Sequence, residues 1–264
     1  MTLFRAALLK LGKRPATRIT FAILLGLVAL IYISLAASLD MIRVSSSEDE
    51  AAALAEIFTF PQAYGALASM LVTFAMLAAA AYAGAIAGSE WSWGAFRVAV
   101  ARGESRVRYV LTTFAGIGLL ALIAFVVLFA VGSVLGSVVG GIAGIPGGDP
   151  AAPGVATAVP ALVLSGWWVV VMAGAIAFAV GFATRSAVMA MVAVVALYFA
   201  EQMAGALLPA DVLRFAPIFA GTQLVGATAA SAFEEALVPL ATVTAYVVVA
   251  LAGVALVADR VEAA

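Results

Sequence analysis

The residues of this chain best suited to chemistry fall in one short stretch, Glu90-Trp91-Ser92-Trp93-Gly94-Ala95-Phe96-Arg97. It continues through Arg102-Gly103-Glu104-Ser105-Arg106. An acid, two tryptophans, a glycine and an arginine within eight residues supply charge-assisted hydrogen bonds and flat apolar faces, which recognise another surface. Bond-making chemistry has little to work with. The sequence holds no cysteine and no histidine, so thiolate metal sites, Cys or His nucleophiles and the commonest proton shuttle are excluded. Its carboxylates are scattered, without the paired spacing of general acid–base catalysis or the clustering of a metal site. No catalytic, cofactor-binding or metal-binding residue is therefore assigned.

The elements that must position this stretch are membrane spans. Of 264 residues, 66% are hydrophobic and 10% charged, and the mean hydropathy is +1.20. A soluble domain carries roughly 25% charged residues. A hydrocarbon core of roughly 30 Å needs about 20 apolar residues in a helix. Six stretches meet that need: 19–39, 60–88, 109–139, 156–184, 186–208 and 236–258. Their hydrophobicity is continuous rather than alternating, which selects helices over a barrel. The expectation is an all-α polytopic membrane protein with one transmembrane domain over 1–264. Its localisation is the cell membrane, and its first partner is the lipid bilayer.

Lysine and arginine counts orient the spans. With the amino terminus inside, Arg5, Lys10, Lys13, Arg14, Arg18, Arg97, Arg102, Arg106, Arg108, Arg185 and Arg260 are cytoplasmic, which leaves Arg43 and Arg214 outside. Both termini are then cytoplasmic, and 89–108 is a cytoplasmic segment between spans two and three. The net charge of -1 gives no reason to expect a nucleic-acid partner. A signal peptide can also begin with a basic stretch, but the apolar run at 19–39 ends in no clear small-residue cleavage motif and is expected to be a retained span.

Phe4, Ala7, Leu8 and Leu11 cluster on one arc before the first span, so 1–18 is expected to hold an interfacial helix ended by Pro15. Ser47-Glu48-Asp49-Glu50 has the form of a capping box and predicts a short external helix over Glu48–Phe58. Gly136–Gly154 is rich in glycine and proline and is expected to be an external loop. The semi-apolar segment 209–235, broken by Pro217, suits a re-entrant or interfacial element. Gly84 and Gly88, like Gly132, Gly136 and Gly140, recur at four-residue spacing, allowing close helix approach within the chain or between two copies. Glu201 and Gln202 fall near the outer interface, as snorkelling polar groups or as contacts to a substrate or ion.

At about 100 degrees per residue, Trp93, Phe96 and Val100 share one helical face, and Glu90 and Arg97 another. Tryptophans at such a position also serve as interfacial anchors, and arginines as topology signals. The stretch resembles the first intracellular loop of permeases of the ABC type-two exporter family. That pattern runs acid, aromatic, Gly-Thr, a residue, Arg, then a Gly-x-x-Arg turn. Glu90, Trp91, Gly94, Arg97, Gly103 and Arg106 fall on those positions, while Ala95 replaces the threonine.

The resemblance implies a coupling helix that docks on a separate nucleotide-binding ATPase subunit, with Glu90, Trp91, Trp93, Gly94, Phe96, Arg97, Arg102, Gly103 and Arg106 as the ATPase-coupling residues. It further implies a second permease copy, identical or a paralogue, and outward movement of an amphiphilic, lipid-like or drug-like substrate. This chain has no phosphate-binding loop, so it is not expected to be an enzyme; ATP and Mg would be bound by the partner. The alternatives are a secondary carrier or channel, which would normally need ionisable residues near the bilayer midplane, and an intramembrane enzyme, disfavoured by the missing His, Cys and acid pairs.

Overall fold

The fold is a computed structural model that describes residues 3–45 and 55–260. The described residues are mostly helical and none forms a strand; an isolated bridge joins Phe60 to Gly148. In chain order the helices are α1 (Leu3–Gly12), α2 (Pro15–Ser45), α3 (Gln62–Ser92), α4 (Ala95–Ala101) and α5 (Arg106–Ile142). They continue with α6 (Val155–Thr184), α7 (Ala187–Gly205), α8 (Ala210–Leu213), α9 (Pro217–Ala229) and α10 (Phe233–Arg260). Among the described residues six of these, α2, α3, α5, α6, α7 and α10, are long and apolar enough to cross a membrane. The chain is a multi-pass membrane protein.

Proline and glycine set the boundaries. Pro15 opens α2, where its fixed φ and missing N–H cost nothing, so α1 stops at Gly12 and the first span begins before Ile19. The expected loop after span three is shorter than its composition suggests. Gly136, Gly140 and Gly141 all lie inside α5, which runs to Ile142, where aromatic rings cover two of them: Gly136 faces the Tyr32 ring and Gly140 faces Phe58. The expected helix over Glu48–Phe58 falls largely outside the described residues, as does its capping box.

α3 and α6 form the centre of the bundle, with half or more of their apolar windows buried. α7 packs on both through small residues. A Cβ on Gly84 would come within 2.5 Å of the Ala190 Cβ, one on Gly88 within 2.7 Å of the Ala187 backbone nitrogen, and one on Gly181 within 3.1 Å of both Ala190 and Ala87. The four-residue glycine spacing is thus used inside the chain. α2 stands at the periphery, with Leu24, Val28 and Tyr32 buried and Ile19, Ile23, Leu30 and Ile33 exposed.

In 209–235, α9 lays Ile218, Leu224, Val225 and Thr228 against the bundle. Glu201, on α7, holds its start: the carboxylate accepts N–H bonds from Ile218 at 3.1 Å and Phe219 at 2.8 Å. Those are two of the amides that a helix start leaves unpaired, and the negative charge suits the positive end of the helix. The snorkelling position expected for Glu201 is replaced by a cap.

A candidate coupling site at the basic end of the bundle

One end of the bundle gathers α1, the start of α2, the end of α3, α4, the start of α5, the end of α6 and the end of α10. The Arg106 guanidinium donates to the Asp259 carbonyl at 3.1 Å, which fixes the last pairing. Because all the basic residues except Arg43 and Arg214 belong to these segments, this is the basic end.

At its centre lies Glu90, 2% exposed, in the last turn of α3. One carboxylate oxygen accepts from Lys10 Nζ at 2.6 Å, and the other from the Tyr109 hydroxyl at 2.5 Å. Lys10 Nζ also lies 3.3 Å from the Tyr109 oxygen. Arg14 adds a guanidinium nitrogen 3.7 Å from the same carboxylate and donates to the Ser89 hydroxyl at 3.0 Å. Four elements therefore meet at one acid: α1 through Lys10, the α1–α2 link through Arg14, α3 through Glu90 and α5 through Tyr109. A buried carboxylate without such partners would be strongly destabilising.

Beside this polar cluster is an aromatic one. Trp91, Phe96 and Phe182 place their ring centroids 5.1 to 5.4 Å apart, and Tyr109 lies 6.1 Å from Phe96. The Trp91 indole N–H donates to the Phe182 carbonyl at 3.1 Å, and the Arg185 guanidinium covers the outer Trp91 face at 4.6 Å. Phe96, 2% exposed, is the plug that fixes α4 to α3, α5 and α6.

The stretch from Glu90 to Val100, expected from its periodicity to share the faces of one helix, is divided between two helices. Ser89–Ser92 completes α3, and the chain then turns at Gly94, whose φ of +66° is a left-handed conformation that side-chain-bearing residues rarely adopt. α4 closes with a Schellman motif: the Gly103 N–H bonds the Val100 carbonyl at 2.9 Å and the Glu104 N–H the Ala99 carbonyl at 3.2 Å, with Gly103 at φ +86°. Both motif glycines thus have a conformational reason. Because the register changes at Gly94, Trp93 and Phe96 do not share a face. Trp93 is 69% exposed with Arg14 stacked 4.9 Å from its ring, whereas Phe96 points inward. Glu90 and Arg97 are likewise separated, one buried and the other at the surface.

The nine residues singled out from the sequence divide accordingly. Trp93, Arg97, Arg102 and Gly103 are exposed; Trp91, Gly94 and Arg106 are half-buried; Glu90 and Phe96 are buried. Lys10, Arg14, Tyr109, Phe182 and Arg185 belong to the site and were not legible as its members. The basic residues read as topology signals, and nothing local ties them to position 90 or 91. Among the described residues no group of acidic side chains has the arrangement of a metal site. No family model, curated protein or solved structure matches the chain.

Proposed function

We propose that this chain is the membrane-spanning permease subunit of an ATP-driven exporter, inserted with its basic end in the cytoplasm. The observation that carries the reading is α4. This is a two-turn helix anchored to the bundle by the buried Phe96 plug, with Arg97 and Val98 presented outward and the exposed Trp93 and Arg102 at the turns on either side. An exposed aromatic residue and arginines around a fixed, short helix are what a partner groove captures. The chain has no phosphate-binding loop, so the partner supplies ATP, Mg and hydrolysis.

In this reading the nine coupling residues have two tasks. Trp93, Arg97 and Arg102 touch the ATPase. Glu90, Trp91 and Phe96 lie behind them and pass displacement of α4 to α3, α6 and, through Lys10, to α1. Gly94, Gly103 and Arg106 set the turns on either side. A second permease copy, identical or a paralogue, completes the path for an amphiphilic, lipid-like or drug-like substrate in the cell membrane.

The experiment is purification of the chain with and without the soluble ATPase expressed from the neighbouring reading frame. Stable co-purification with that ATPase, and no hydrolysis by the chain alone, is the expected result. Hydrolysis by the isolated chain, or transport without any ATPase, refutes the assignment.

A further inference from the structure

A cavity of about 370 Å³ lies between α2, α3 and α5, lined by the start of α2 and by the middle of α3 and α5. Its walls are apolar, with Leu24, Ala121 and Leu128 among them, and its polar groups collect at one end: Thr17, Arg18, Thr20 and Tyr82. Ile123 and Val127 on its rim are 52% and 39% exposed, so the cavity opens sideways to the surroundings of α5. In a spanning helix those surroundings are hydrocarbon.

The polar end is specific in its charge. The Thr17 hydroxyl donates to the Leu11 carbonyl at 2.6 Å and lies 2.8 Å from the Tyr82 hydroxyl, so both are engaged. Arg18 is exposed and has no ion-pair or hydrogen-bond partner among the described residues, and no acid lines the cavity. Lys13 and Arg14 lie one turn before it. The slot runs about 10 Å along α2, from Thr17 to Leu24, and about 16 Å along α5, from Ile117 to Leu128, against roughly 15 Å for the hydrocarbon of one leaflet. An apolar slot of that depth, open to lipid and with an unpaired guanidinium at headgroup level, complements the shape and charge of one end of an anionic lipid.

We propose that this cavity binds one acyl chain of an anionic phospholipid, with the headgroup phosphate held at Arg18. The site depends on the chain spanning a bilayer and does not depend on an ATPase partner, so it stands or falls separately from the coupling role of α4.

The test is native mass spectrometry of delipidated protein titrated with phosphatidylglycerol and phosphatidylcholine of equal chain length. The folded protein is expected to retain phosphatidylglycerol in preference, by roughly fivefold, the factor that corresponds to about 1 kcal/mol for one basic residue at an anionic surface. Arg18→Gln should bring the two lipids close to parity while chain binding persists. Ala121→Phe should lower retention of both, and Arg214→Gln, at the opposite end, should change nothing. Thermal melts of each variant report folding, and Arg18→Gln decides the matter even where Ala121→Phe fails to fold. No lipid on the folded protein, parity for the unaltered chain, or a preference that survives Arg18→Gln overturns the proposal.

Discussion

Lys10 and Glu90 stand 80 positions apart in sequence and 2.6 Å apart in space, and this contact ties the amino-terminal helix to the end of the second span. Glu90 is buried while the Lys10 side chain is 37% exposed, so the pair is half in water. A double-mutant cycle with Lys10→Met and Glu90→Gln should give a coupling energy of about 1 to 2 kcal/mol in detergent unfolding, below that of a fully buried pair. Strict additivity of the two substitutions would show that the contact contributes nothing to stability.

The exposed and buried residues around α4 should separate in experiment. Trp93→Ala and Arg97→Ala remove exposed groups and should leave the unfolding midpoint within error. In the permease reading each weakens ATPase binding by about 2 kcal/mol, roughly thirtyfold. Phe96→Ala empties a buried position and should lower stability by about 3 to 5 kcal/mol. Binding assays on inserted protein, paired with melts, decide it: unchanged affinity in both surface variants ends the docking role.

Glu201→Ala removes the acceptor of two amides at the start of α9. Leaving those amides unpaired costs about 1 to 3 kcal/mol. Hydrogen exchange of the amides at 218 and 219 should accelerate, while exchange in α6 is unchanged. Equal protection at both amides in the variant would contradict the capping role.

Orientation is open to a direct test, because the chain contains no cysteine to give background labelling. Ala101→Cys and Glu104→Cys should react with an impermeant maleimide only from the cytoplasm, and Asp149→Cys and Glu234→Cys only from outside. One site labelling from the wrong side breaks the arrangement of six spans.

The spans were legible because burial in lipid demands length and apolarity, which composition records directly; each predicted stretch lies largely within one of the six long helices. The break between α1 and α2 was legible from Pro15. The face of the coupling segment was not, since periodicity presumes an unbroken helix and the left-handed Gly94 resets the register between Trp93 and Phe96. Glu201 could not be read as a cap, because its partners at Ile218 and Phe219 lie beyond a chain reversal. Tyr109 and Phe182 looked like ordinary span residues, and only three-dimensional packing brings them to the acid and the indole.

Gly84, Gly88, Gly181, Ala87, Ala187 and Ala190, where α3, α6 and α7 meet, have a mechanical consequence. Long side chains act as cushions, since a shove on one helix is absorbed by rotamer changes before it reaches the next. Glycine and alanine have no rotamers to change. Backbone touches backbone at this junction, and a push has no slack to take up. A larger side chain at Gly84, Gly88 or Gly181 could therefore be admitted only by displacing a whole helix.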